Sequence, residues 1–420
     1  MIKITTLLVL CAGMLLCSNQ NQSAITEYPV PTANSLPESV ELGPDGAIWF
    51  TETAGNKIGR ITTSGVITEY PLQGTAKTGS PWDLVVGPDG ALWFTETLGS
   101  KIGRITTAGV ITNQYVIPTP NSGPRRIIVG PDGAMWFTEY TGNNIGRITT
   151  SGTFTEYPIP TPNSTPSGIT AGPDGAIWFN ENGGNQTVRM TTDGTITNTY
   201  PAPMPHSVMA QIIVGPDNLL WLTENWSNKI GRMTTGGLLN EWLTPSAGSV
   251  PGGLAVGPDG ALWFTEWAEN VNNIGRITTN GVITEYPIPT AASEPWEIAA
   301  GSDGALWFAE YFGNNIGRIP ACGLGMQVFY GSGALNFDFT VSTTTSAVWT
   351  TFLSQNGTNI QTLWSKNINP IVPPQNIFKP VTLSPLGTVQ VVSGLYQQSD
   401  PNTVICQETQ TVNTNQTAGN

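Results

Sequence analysis

The decapeptide GPDGAIWFTE at residues 43–52 recurs in close copies that begin at Gly87, Gly130, Gly172, Gly215, Gly257 and Gly301. A period of 42 to 44 residues is that of a four-stranded propeller blade, so seven copies predict seven blades. Within one unit, PWDLVVGPDGALWFTETLGSKIGRITTAGVITNQYVIP, four short β-branched and aromatic runs alternate with turn residues, the pattern of a meandering antiparallel sheet. In GPDG, proline suits the second position of a type I turn and glycine the fourth, so the first strand turns back sharply into the second. A fourth-strand motif, ITEYP at residues 25–29, comes before the first complete set of the other three strands. The seventh set ends on IGRI at residues 316–319 with no such motif behind it. Residues 26–30 are therefore predicted to supply the outer strand of the last blade, closing the ring without a covalent bond and removing an exposed edge.

The chain is acidic, with net charge -13, yet only 11% of its residues are charged and it holds 14 tryptophans. That balance argues for a globular protein, and the absence of a basic stripe argues against a nucleic-acid partner. Residues 1–16 carry one lysine and the run ITTLLVLCAGMLL, the length of a signal-peptide core and short for a bilayer span. Residues 1–23 are read as a signal peptide and the mature protein as exported (periplasmic, cell-surface or extracellular), monomeric and without a transmembrane helix. Lipid attachment at Cys17 is the alternative, although Leu16 is a poor fit to the small residue such processing favours. Residues 24–320 form the propeller in this reading. Beyond them, runs such as LNFDFTV, AVWTTFL and TVQVVSGLY predict an immunoglobulin-like β-sandwich over residues 321–420. Cys322 and Cys406, near its two ends, are expected to form a disulfide in an oxidising compartment, two buried thiols being the alternative.

Strand direction alternates within a blade, so each first strand opens, and each second strand ends, on the face opposite the GPDG turns. That face collects seven glutamates, Glu52, Glu96, Glu139, Glu181, Glu224, Glu266 and Glu310. One arginine per blade (Arg60, Arg104, Arg147, Arg189, Arg232, Arg276, Arg318) accompanies them, and the fixed spacing predicts repeated pairing of these acids and bases as architecture. Departures from the repeat carry more functional information. The residues opening the first strands are Glu38, Trp82, Arg125, Ser167, Ala210, Gly252 and Trp296, with Asp83, Arg126, Glu294 and Glu297 beside them. Trp226 and Trp267 follow second strands, and with Trp296 they could make an aromatic shelf or simply cover the loops. Trp82, Arg125, Trp226, Trp267 and Trp296 are the expected contacts for a small-molecule, peptide or glycan ligand at this mouth.

The succession WFTE, NxIGRI, ITEYPIP across residues 25–319, about 70% of the chain, resembles the virginiamycin B lyase family of seven-bladed propellers. The resemblance implies opening of a streptogramin B depsipeptide by elimination, with a histidine as base and magnesium polarising the substrate. The family pattern Glu-Pro-His-Gly falls here on Glu294, Pro295, Trp296 and Glu297, so Trp296 stands at the base position, while Glu294 and Glu310 match the metal-side carboxylates. A second family histidine would fall at Gly252. Indole cannot accept the proton that imidazole takes near neutral pH. The chain's single histidine, His206, is out of register, and His206, Glu38 and Glu297 are the candidate replacement bases. Two readings follow: a binding propeller that no longer performs the family reaction, or a lyase acting on a streptogramin B or another ester or lactone through a rearranged acid/base set.

Overall fold

The computed structural model describes residues 25–74, 79–204, 207 and 209–321, together with the backbone of seven strands between residues 324 and 413. Among the described residues every regular element is a strand. Residues 25–319 form one compact unit, and residues 320–420 belong to a second.

The first unit is a ring of seven four-stranded antiparallel sheets. In blade 1 the strands are Pro37–Leu42, Ile48–Glu52, Lys57–Ile61 and Ile67–Pro71, and the later blades repeat that order. Blade 7 takes its first three strands from Pro295–Ala300, Ala305–Glu310 and Asn315–Pro320, and its fourth from Thr26–Pro29. The early ITEYP motif thus closes the ring, with Thr26 opposite Arg318 and Pro29 opposite Asn315. Tyr28 completes the seam by stacking on Trp307 at 5.5 Å between ring centroids.

The core lies between blades. Val40, Ile48 and Phe50 of blade 1 pack with Trp307 and Ile316 of blade 7, all nearly or fully buried. The WF pair of each second strand drives this packing: its side chains point to opposite faces of the sheet, so both sides of the blade are covered. Glycine in the third strand follows from the same geometry, because a Cβ on Gly59 would come within 2.0 Å of the Phe50 ring.

The expected pairing of the arginines with the end-of-strand glutamates is not what forms. Each of the seven arginines binds the aspartate of its own GPDG or variant turn (Asp45, Asp89, Asp132, Asp174, Asp217, Asp259 and Asp303) at 2.6 to 3.3 Å. The other aspartate oxygen accepts the Nε1 proton of the blade tryptophan, as from Trp49 to Asp45 at 3.1 Å. Register is the reason: Arg60 lies opposite Trp49 at the turn end, whereas Glu52 lies opposite Lys57 at the far end.

In the second unit, Leu324–Gly331, Ala334–Val341 and Gln375–Thr382 form a three-stranded antiparallel sheet. Thr358–Ile368, Ala347–Gln355, Thr388–Gln397 and Asp400–Asn413 form a four-stranded one. Cys322 lies outside the described residues, as does the Cys406 side chain, so the expected disulfide falls outside them too. The signal peptide and Cys17 also fall outside.

Candidate functional site

The mouth is built by a bulge repeated in the first strands. In blade 1, Pro37 pairs with Glu52 but Val40 pairs with Phe50, so one extra residue is accommodated between them. A bulge bends the strand and re-aims its side chains, and here it turns the second and third residues of each first strand toward the axis end. The threonine of WFTE holds the arrangement. Ser39 N donates to Thr51 Oγ1 at 3.0 Å, and Thr51 Oγ1 donates to Trp82 O of the next blade at 3.0 Å. The same relay runs from Asp83 through Thr95 to Arg125 O, and from Gly253 through Thr265 to Trp296 O. This role for the threonines escaped the sequence reading, although their recurrence in five of the seven second strands was the available signal.

Two tiers result. In the upper tier, the Arg125 guanidinium lies 4.6 Å from the Trp82 ring centroid and 3.5 Å from that of Tyr140. Trp82 meets Trp296 edge-on at 5.8 Å, and Trp296 also packs against Trp267 at 5.4 Å and Tyr311 at 5.6 Å. Tyr140 and Tyr311 are the members that the sequence reading missed. Trp226, expected in the shelf, is instead 76% exposed and has no ring partner among the described residues. Its loop turns the indole to solvent, so the aromatic cluster comprises Trp82, Trp267, Trp296 and Tyr311.

Glu38 joins this tier as a buried acid. Its Oε2 accepts from Thr53 at 2.9 Å, whereas its Oε1 is buried without a partner. Burial pushes its pKa up to about 8, against the Thr53 bond and the charges of Arg126 and Arg125. In the lower tier, Asp83 accepts from Ser39 Oγ at 2.6 Å and from Ile127 N at 2.9 Å, with Arg126 at 3.8 Å. Arg126 also pairs directly with Glu297, whose other oxygen accepts from Gln211 Nε2 at 3.3 Å. Burial raises Glu297 to about 7 even with Arg126 beside it. The fold therefore brings two of the candidate bases, Glu38 and Glu297, to the axis end. The third, His206, lies outside the described residues.

Glu294 and Glu310 behave differently from each other. Glu294 is partly exposed in the loop entering blade 7, with φ +48°, and burial and the Glu269 charge raise its pKa. Its backbone conformation belongs to the loop, since Leu36, Thr165 and Val250 before the equivalent prolines also have positive φ. Glu310 is fully buried, accepts from Asn315 Nδ2 at 3.0 Å and shares a hydrogen bond with Glu27. Burial raises it to about 8. A hard cation needs oxygen ligands aimed at one point, and here the Glu310 carboxyl is instead engaged by Asn315 and Glu27. Among the described residues no three Asp, Glu, His or Cys side chains gather as a metal cage.

An aromatic and guanidinium mouth above a buried acid-base tier, set at one end of the axis, defines the class as a seven-bladed β-propeller. A model of the virginiamycin B lyase family matches residues 16–158 and 75–355. Virginiamycin B lyase from Staphylococcus aureus is 40% identical, covering 71% of this chain and 99% of that one, with a TM-score of 0.66. A catalytically inactive histidine-to-alanine variant of the same enzyme, crystallised with quinupristin, is 40% identical over the same shares of both chains, with a TM-score of 0.67. Virginiamycin B lyase of Bordetella parapertussis is 42% identical over 55 residues, 13% of this chain and 18% of that protein, so the aligned stretch spans less than a fifth of this curated relative. The chain belongs to the virginiamycin B lyase family.

Proposed function

We propose that this chain is an exported member of the family that binds a small ligand or peptide at its mouth and does not carry out streptogramin B elimination. The observation that carries the reading is Trp296. It occupies the position where the family pattern places a histidine, and it is packed between Trp82, Trp267 and Tyr311. An indole takes no proton. Loss of a positioned general base lowers a rate by about 10² to 10⁴. Arg125 and the rings around it offer instead a flat, cationic and aromatic surface suited to a planar or carbonyl-bearing ligand. The leader-like residues 1–16 support export.

The test is incubation of the purified protein with quinupristin and magnesium, followed by chromatography and fragmentation mass spectrometry. Elimination leaves the mass unchanged, so the linear product is recognised by its retention time and fragments. The expected result is intact quinupristin; rapid conversion overturns the reading.

One feature favours a second reading, an active lyase on another ester or lactone. Glu38 combines burial, an unpartnered Oε1 and a pKa near 8, the state of a carboxyl tuned for proton transfer near neutral pH. Under that reading, any conversion observed disappears in Glu38→Gln and survives in Trp296→Phe.

A further inference from the structure

Beneath the upper tier, the propeller axis holds a cavity of about 440 Å³ whose upper wall is the lower tier itself. Its wall is made by the third to sixth residues of the first strands, down to Leu42, Val214 and Ala300 beside the GPDG turns. None of the upper-tier residues Glu38, Trp82, Arg125 or Trp296 lines it. Arg126 and Glu297, paired with each other, form part of its lining.

The wall is apolar at most positions, as at Val85, Ile128, Ile213 and Ala255. Two polar groups interrupt it. Glu41, at the fifth position of blade 1, is half-buried, and its carboxyl is hydrogen-bonded by the backbone of Val86. Its equivalents in the other blades are Val85, Ile128, Thr170, Ile213, Ala255 and Ala299. Gln211, at the third position of blade 5, gives its amide proton to Glu297 and keeps a buried Oε1 without a partner. Both groups present acceptor oxygens, and they lie two residues apart in height, about 6.6 Å along a strand. A buried acceptor without a donor is costly, so the ligand that suits this cavity brings the donors.

Charge points the same way. Glu41, Asp83 and Glu297 surround the cavity against the single cation Arg126. Burial, then the charges of Asp83 and Glu297, push Glu41 up to about 8. An ammonium relieves that field, whereas a carboxylate adds to it.

We propose that the axial cavity is a ligand site of its own, open on the GPDG face, which takes a primary ammonium carried on a short apolar chain and seats it between Glu41 and Gln211 Oε1. The alkyl part lies against Val85, Ile128, Ile213 and Ala255.

The experiment is calorimetric titration of the full-length protein with n-hexylammonium, n-hexanol and hexanoate at one pH and ionic strength. Saturable binding of hexylammonium is expected, with hexanol at least tenfold weaker and hexanoate undetectable. Glu41→Gln, nearly isosteric, should weaken hexylammonium at least tenfold. Ala255→Leu, which fills the cavity from another blade, should abolish binding and serves as the second variant if Glu41→Gln does not fold. Absence of saturable binding to the wild type, equal affinity for hexanol, or unchanged affinity in a folded Glu41→Gln or Ala255→Leu protein each overturns the proposal and leaves the cavity as a water-filled channel.

Discussion

Replacing Glu310 by glutamine tests the chemistry assigned to the glutamates that end the second strands. Glu310 is fully buried, accepts from Asn315 at 3.0 Å and shares a hydrogen bond with Glu27, which itself accepts from Thr290 N and Oγ1 at 2.9 and 3.0 Å. Burial raises its pKa from 4.5 to about 8. The folded chain therefore holds this proton after the unfolded chain has released it. Stability from the group is complete below about pH 4.5 and is lost as pH rises toward 8. Each unit of rise corresponds to about 1.4 kcal/mol, so a rise from 4.5 to about 8 destabilises the wild type by about 4 kcal/mol between pH 5 and pH 9. Glutamine keeps an acceptor for Asn315 and a donor toward Glu27 but has no proton to lose. Glu310→Gln should melt within about 1 °C of wild type at pH 5 and about 6 °C above it at pH 9, given the unfolding entropy of a domain this size. Differential scanning calorimetry at the two pH values provides the comparison. Glu52, Glu139, Glu224 and Glu266 titrate alike in both proteins, so the difference isolates residue 310. If Glu310→Gln is less stable at both pH values, the residue is an ionised carboxylate and the neutral-acid assignment is wrong.

Thr51→Val should lower stability by about 1 to 3 kcal/mol in denaturant melts, because it leaves Ser39 N and Trp82 O without their buried partner. Val250→Gly should raise stability by about 1 kcal/mol, since a β-branched residue at φ +51° is strained and blade 3 already places Gly123 before its proline; a lower melting temperature would show that the Val250 side chain packs usefully. A chain ending at Pro320 should remain soluble and melt cooperatively, because the ring closes on Thr26–Pro29; aggregation of that fragment would contradict a self-contained ring.

Blade number, strand order and ring closure were legible in the sequence because they depend on short-range chemistry. A 42 to 44 residue period, a turn that accepts only certain residues, and one misplaced ITEYP motif are local facts that the ring multiplies sevenfold. The sequence also located the irregular positions Glu38, Trp82, Arg125 and Trp296, since departures from a repeat are visible wherever the repeat is. The partners of these residues were not legible. Arg60 chooses Asp45 over Glu52 because cross-strand register puts it at the turn end of the blade. Tyr140 reaches Arg125 across the first two strands of its own blade, and Trp267 reaches Trp296 only because adjacent blades meet around a common axis. Trp226, identical in composition to its neighbours, is aimed at solvent by its loop. The axial cavity is the clearest case: Glu41 looks like any polar residue on a strand until seven first strands converge around it. A linear pattern records which side chains alternate, but the diameter of the ring decides which of them face one another and how much space is left between them.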